Sequence, residues 1–530
     1  MDNEKKTNRQ DLILFIIFSI IFLFFLLLWL RKEFCFPYWA CWDRLIRSLA
    51  MYKAIFEQVD LARAFFVTEE YPPFVFFITA SGLKICCSSI AVTYGISTLF
   101  TLLLCYMLLL TGRLIGGRLL GWSMVLLAGT APELLFFSRQ FFLITPATTM
   151  LAISFYLILK SNYFKDLKNS LLSGLAMAIG AYTNFTFMFF IVPVAIGAFV
   201  FSMIRGKKEE RKKILNNFSW CAFVSIVLPL PWYLGTLESL TRKFRHQMSL
   251  PKFHPPLPLE NIILNLGYLS QVFYLGGILM IIGLVMAFIC PRGVGAILSA
   301  LGIIGGFSHL PIFRTYPFIR YVIYFIPFAG VLALTWTTLL PVKTRKAILI
   351  LCIITGLWQA GGWLIPGLPQ GGIFPKTTHP PGLTEAPKKA YYDLFTTVLD
   401  DIHEKFPGEP PMVIAINRTS CWILSFDGLG FWARERKAYG PGDLEIIPVT
   451  AKQNGIFTAS RKIMRPIDIV IYSSQCKPSS PCIEDRQWIG NPQAWEKFAG
   501  PYIIDWEGPE KLYINLFRRK QPGNKIRSDN

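Results

Sequence analysis

Asp43 sits in the stretch WACWDRLIRSLAMY, just after an apolar run from Leu12 to Leu30. An ionisable residue at the end of a membrane helix is costly, so such residues are the first candidates for a site. The aromatic residues around Asp43 favour exclusion of water. The plainer alternative is an interfacial acid paired with Arg44 or Arg47. Two more carboxylates, Glu69 and Glu70, precede Tyr71, Pro72 and Pro73. Arg139, Arg314, Arg320 and the cluster Arg242, Lys243, Arg245 supply cations near other helix ends. Guanidinium groups at a water–lipid boundary suit a phosphate whose charge stays at the interface while its tail enters lipid, with snorkelling as the bland alternative. His246 and His254 are eight residues apart on a polar segment and would join Glu70 around a divalent cation, or simply be solvated.

The elements that must position these residues are membrane helices. The chain has 530 residues, 53% of them hydrophobic, 15% aromatic and 16% charged. An ordinary soluble domain carries about 25% charged residues, so a single soluble globule is excluded. Apolar runs of helix length fall near 12–30, 88–110, 119–137, 141–160, 169–183, 185–204, 218–236, 271–290, 293–310, 321–340 and 346–366. The first run is long for a signal peptide and no small-residue cleavage site follows, so it reads as an uncleaved helix. Within 169–204 the alternatives are two short helices or one span with a re-entrant piece.

The net charge of +20 is concentrated in the membrane half, where positions 1–366 hold 32 basic and 15 acidic residues. Loop anchoring and attraction to lipid phosphate account for that excess, and no nucleic-acid partner is expected. With the N-terminus in the cytoplasm, the short inner segments hold 18 Lys and Arg and the longer outer ones 14. The run Arg205, Lys207, Lys208, Arg211, Lys212, Lys213 is the strongest inner anchor. Eleven spans then place the C-terminal part outside. Of the two long outer segments, the first (Arg31 to about Cys87) reads as interfacial helices, and the second (about Leu237 to Ser270) as a mobile loop.

The layout is therefore a polytopic α-helical membrane domain over 1–366, a Pro/Gly linker over 367–385 and an extracytoplasmic α/β domain over 386–530. Strand-like PMVIAI, DLEIIPV, IDIVIYS and KLYINLF support the last, after the amphipathic AYYDLFTTVLDDIHEKF. Cys35 with Cys41 and Cys476 with Cys482 fall outside the membrane in this layout, where disulfides are permitted. Asn184 and Asn417 match the N-x-[ST] pattern, common by chance. Nucleotide-binding glycine motifs, GxSxG and HExxH are not found in the sequence.

Several stretches together resemble the glycosyltransferase C superfamily, in particular the bacterial branch that includes protein O-mannosyltransferases and the aminoarabinose transferase of lipid A. They are Asp43 followed by LAMY, the EEYPPF segment, SRQFFLITPATTMLAISFYLIL, SGLAMAIGAYTNFTFMFFIVP, and FIRYVIYFIP around Arg320 and Tyr321. The resemblance runs over roughly residues 10–345. It implies an inner-membrane enzyme in which Asp43 is the general base and an acceptor hydroxyl or amine attacks the anomeric carbon of a polyprenyl-phosphate sugar, inverting it. It implies Arg320, Arg139, Arg314, Arg242 and Arg245 as phosphate ligands, and Glu70 as a helper at the acceptor or at a metal. Glu69, Tyr71, Tyr321, His246 and His254 fall to the acceptor site or a lid. No cofactor is required by this chemistry, and a divalent cation is optional. The acceptor would be a lipid, a glycan or a protein.

Two positions depart from that pattern. Ile144, Thr145 and Pro146 stand where an Asp is usual, and Asn184 stands where a Lys or Arg is common. Loss of both is either the removal of an ion pair or the mark of a different donor head group. The rivals are a non-catalytic scaffold with this fold and a secondary transporter, the latter disfavoured by the absence of an internal repeat.

Overall fold

The computed structural model describes residues 2–32, 39–68, 71–86, 90–138, 141–249, 275–289, 293–313, 319–364 and six strands between 412 and 519. By contact pattern the chain divides into one unit of Met1–Trp29 with Arg47–Thr378 and a second of Leu30–Ile46 with His379–Asn530.

The first unit is helical. In chain order its described elements are α1 (Asp2–Lys32), α2 (Trp39–Tyr52, whose first residues count with the second unit), a π turn (Lys53–Glu57), α3 (Leu61–Phe66), α4 (Phe74–Cys86) and α5 (Ile90–Gly116). Then come α6 (Arg118–Leu127), α7 (Pro132–Ser138), α8 (Ile144–Lys160), α9 (Leu167–Ala181), α10 (Phe187–Arg205), α11 (Lys208–Val227), α12 (Leu230–Gly235) and α13 (Leu237–Ser249). They are followed by α14 (Leu275–Ile289), α15 (Val294–Phe313), a 3₁₀ turn (Ile319–Phe325), α16 (Ile326–Thr335), a second 3₁₀ turn (Trp336–Leu339) and α17 (Val342–Leu364). Each of the eleven apolar runs carries helix, and 169–204 holds two helices. Among the described residues, four helical stretches are long and apolar enough to cross a membrane: Val92–Gly116, Phe187–Arg205, Lys208–Gly235 and Val322–Leu339.

Two expectations are corrected here. The segment from Leu237 is not a loop at its start: α13 runs to Ser249, with Leu237, Leu240, Phe244 and Met248 at helical spacing. Arg242, Arg245 and His246 therefore lie on a helix. Similarly, α11 begins ten residues before the apolar run at 218, because KEERKKIL is built of good helix formers.

The centre of the unit is the stretch Val322–Leu334, whose hydrophobic residues are at most 1% exposed. A helix that is apolar all round belongs in the interior. Around it, small residues let backbones approach. A Cβ at Gly356 of α17 would overlap the Leu126 carbonyl of α6, and one at Gly283 of α14 would overlap the Leu332 carbonyl of α16. Hydroxyls reinforce the α6–α17 contact: Ser123 and Thr130 donate to the carbonyls of Leu349 and Gly356, each at 3.0 Å. Lipid offers no hydrophobic drive between helices, so close packing and such hydrogen bonds carry association. The α5–α6 hairpin turns at Gly117, whose φ of +87° suits glycine.

One end of this unit gathers the segments expected on the inner side. Asp11 is 1% exposed and lies 3.0 Å from Arg113 and 2.6 Å from Arg118. Trp122 donates to the same carboxylate at 3.2 Å. Arg345 donates to the Gly116 carbonyl. Lys165 pairs with Glu210 at 2.8 Å, and Asn217 donates to the Phe164 carbonyl at 2.9 Å. Asn162, Tyr163 and Phe164 hold left-handed backbone there, with Phe164 fixed by Ser161 and by the ring of Phe218.

In the second unit the described strands β1 (Met412–Asn417), β2 (Leu444–Ala451), β3 (Phe457–Ala459), β4 (Ile469–Ser474), β5 (Trp495–Asp505) and β6 (Lys511–Arg519) form one sheet in the order β3-β2-β1-β4-β6-β5. β1 is parallel to β2 and β4, with Ile414 opposite Ile446 and Ile469; the remaining pairs are antiparallel. The continuous apolar runs of β1 and β4 suit central parallel strands. The helix expected over AYYDLFTTVLDDIHEKF and the side chains of Cys35, Cys41, Cys476 and Cys482 lie outside the described residues.

Candidate functional site

The site is built from two groups of segments in the helical unit. The first centres on α2. Ser48 and Met51 on this helix are 0% and 1% exposed, so one face is buried. Arg47 lies on that face, one turn after Asp43. Its guanidinium donates to the Thr68 carbonyl at 2.9 Å and stands 5.2 Å from the centre of the Tyr71 ring. The Thr68 hydroxyl donates to the Tyr71 carbonyl at 2.6 Å, and the Tyr71 amide donates back to the Thr68 carbonyl at 3.1 Å. Thr68 is fully buried. Arg47 thus clamps Thr68 and Tyr71 to α2. A π turn follows α2 at Lys53–Glu57, a local irregularity frequent at functional sites.

Downstream, Tyr71 packs on Phe76 with ring centres 6.4 Å apart, and the Phe74 amide donates to the Tyr182 carbonyl at 3.2 Å. The Tyr182 hydroxyl reaches the Leu228 carbonyl at 2.5 Å, and Tyr233 reaches the Ala181 carbonyl at 2.9 Å. The EEYPPF segment, the α9–α10 turn and α12 are therefore joined at one end of the unit. Asn184, the second departure from the family pattern, acts locally, since its side-chain oxygen accepts from the Thr186 amide at 3.0 Å at the entry to α10.

The second group surrounds the 3₁₀ turn Ile319–Phe325, which carries Arg320 and Tyr321 and leads into the buried α16. This turn packs against both α7 and α8. Arg139 falls in sequence between those two helices. The turn is thus joined to two helices that come about 180 residues earlier in the chain. The first turn of α8 adds Thr145, whose hydroxyl is buried and has no hydrogen-bond partner among the described residues. A buried hydroxyl in that state costs free energy. It also sits where backbone amides at a helix start favour an anion.

Other expected residues fare differently. Arg242 is 74% exposed and pairs with Glu238 at 2.9 Å, one turn away on α13; Arg245 is also exposed. Tyr71 is half-buried in the clamp. Glu69, Glu70, Arg139, His254 and Arg314 lie outside the described residues, as do the side chains of Asp43, Lys243, His246, Arg320 and Tyr321. Among the described residues no three His, Cys, Asp or Glu side chains come together as a metal site. Sequence reasoning missed Arg47 as an organiser. Its spacing of four from Asp43 was visible, but its partner 21 residues on was not.

No family model matches the sequence, and no curated protein matches it either. Solved structures do match the fold. ArnT from Cupriavidus metallidurans in the apo state aligns with a TM-score of 0.51 at 12% identity, over 84% of this chain and 93% of that one. The same protein bound to undecaprenyl phosphate aligns with a TM-score of 0.53 at 12% identity, over 95% and 97%. At this identity the likeness is one of fold, and it extends along most of both chains.

Proposed function

We propose that this chain is an integral membrane glycosyltransferase that moves a sugar from a polyprenyl-phosphate donor to a lipid, glycan or protein acceptor at the outer face of the membrane. The observation that carries the reading is the fold likeness along nearly the whole chain to a structure holding undecaprenyl phosphate. The packing of the turn that carries Arg320 against α7 and α8, the helices that flank Arg139 in sequence, supports it.

In this reading eleven helices cross the membrane, the N-terminus is cytoplasmic and the domain after residue 385 is outside. Asp43 takes the proton of the acceptor hydroxyl or amine. The freed lone pair attacks the anomeric carbon from the face opposite the phosphate, the glycosidic C–O bond breaks, and polyprenyl phosphate departs with the electron pair. Inversion follows from the single displacement. Arg139 and Arg320 balance the growing phosphate charge, which is the electrostatic part of catalysis. Glu70 orients the acceptor. Arg314 completes the cationic rim, and α13 with Arg242 and Arg245 serves as a lid that limits loss to water.

The test is transfer by purified protein in lipid from a panel of polyprenyl-phosphate sugars to a membrane extract. The expected outcome is a labelled product together with free polyprenyl phosphate. Binding of polyprenyl phosphate without transfer from any donor would replace this reading with a non-catalytic scaffold.

A further inference from the structure

At the opposite end of α9 from Tyr182, an open groove of about 740 Å³ runs between α9 and α11. The helix is 15 residues long, so the groove mouth and the Tyr182 cluster are about 22 Å apart at 1.5 Å per residue. Lys168, Leu171, Leu172 and Leu175 form one stripe along α9, and Val224 of α11 makes the facing wall. That spacing of three and four puts a cation at one end of the stripe and three leucines in line behind it. Leu172 and Leu175 are 40% and 42% exposed. The two helices approach closely at Gly174, where a Cβ would meet the Cys221 carbonyl oxygen at 2.5 Å, so the larger side chains beside the crossing stand apart and leave the groove.

Charge singles out the mouth. Residues 160–168 and 205–213 contain nine Lys or Arg against three acids. Several of those cations are engaged locally: Lys160 stands over Tyr156, Arg205 over Phe201, and Lys165 pairs with Glu210. Lys168 lines the groove mouth beside Asp166, and the exposed Lys213 lies about three turns before Val224 on the same face of α11, its charge acting on Asp166. Asp166 is itself committed to capping α9, accepting from the Asn169 amide at 3.2 Å. The mouth therefore presents two ammonium groups over an apolar channel.

We infer that this groove is a binding site for an anionic phospholipid, its phosphate against Lys168 and Lys213 and an acyl chain along Leu171, Leu172, Leu175 and Val224. A neutral zwitterionic head group gains little from such a mouth, whereas a net negative one is attracted by each basic residue near the surface. The site would fasten α9 to α11 from the side opposite the reaction and does not depend on sugar transfer.

The experiment uses the full-length chain, delipidated in detergent and titrated with phosphatidylglycerol or phosphatidylcholine, with retained lipid read by native mass spectrometry. Wild type should retain phosphatidylglycerol at least 10-fold better than phosphatidylcholine. The Lys168→Gln, Lys213→Gln pair should lose that preference with an unchanged melting temperature, and Leu175→Trp, which fills the channel and leaves the charges, should lower retention. Lys207→Gln with Lys208→Gln should keep the preference. Equal retention of the two lipids by wild type would overturn the site. So would survival of the preference in the Lys168, Lys213 variant, or its equal loss in the Lys207, Lys208 variant, since the latter marks a diffuse surface field.

Discussion

Replacing Arg47 by Ala removes two interactions whose sizes can be set separately. The hydrogen bond from a charged guanidinium to the Thr68 carbonyl is worth about 1.5–3 kcal/mol. The stacking of the same group over Tyr71 adds about 0.5–1 kcal/mol at a half-buried position. The Thr68 carbonyl keeps its bond from the Tyr71 amide, so no buried acceptor is orphaned and the loss stays near the lower end, about 2 kcal/mol. At 1.36 kcal/mol per decade this is roughly a 30-fold rise in local opening. The direct assay is hydrogen exchange at the Tyr71 amide, expected to speed up by about that factor while amides in α16 stay unchanged. Arg47→Lys keeps a cation over the ring but loses the planar fork, and should fall between. Under the proposed function, transfer activity should fall as exchange speeds up across the three proteins, because Arg47 holds Thr68 and Tyr71, which flank Glu69 and Glu70 in sequence. Unchanged Tyr71 exchange in Arg47→Ala would refute the clamp; faster exchange with full activity would refute its role in positioning.

Three further outcomes follow from particular contacts. Asp11→Asn removes charge-assisted contacts to Arg113 and Arg118, whose guanidinium groups stay partly exposed, and should cost about 1.5–3 kcal/mol, read as a fall in melting temperature in detergent. Gly356→Leu cannot be housed against the Leu126 carbonyl and should separate α17 from α6, seen as loss of a disulfide engineered across that pair or as failure to yield a monodisperse protein. Thr145→Val removes a buried hydroxyl without a described partner, so the melting temperature should hold or rise, while the KM for the lipid donor should increase if that hydroxyl meets the phosphate.

What the sequence disclosed follows from what is local. Helix within the apolar runs was readable from their composition, although the run at 119–137 is split into α6 and α7 and four described stretches are long enough to cross a membrane; the β1, β2, β4 and β6 strands were readable because VIAI, LEII, IVIY and LYIN are short apolar segments. The α13 helix was hidden by its charges, although Leu237, Leu240, Phe244 and Met248 already had helical spacing. β5 was missed because Gly500 and Pro501 interrupt it; as an edge strand with register shifts between Lys497 and Tyr502 it tolerates them. The contacts that organise the site were beyond reach for a different reason. Arg47 to Thr68, α7 and α8 against the Ile319–Phe325 turn, and Gly356 against Leu126 join residues from 21 to 230 positions apart. No periodicity encodes such pairs. The sequence did flag Thr145 and Asn184 as departures, and the structure gives each a setting: an unpartnered buried hydroxyl at the start of α8 and the cap of a turn.

The central claim is that Asp43 is the base of a polyprenyl-phosphate glycosyl transfer. Its most direct test is single-turnover transfer in lipid by wild type and by Asp43→Asn, with donor binding and melting temperature measured on the same samples. The account predicts a rate lower by about 10²–10⁴-fold in the variant, with donor affinity and stability unchanged. Transfer by Asp43→Asn at the wild-type rate would contradict it.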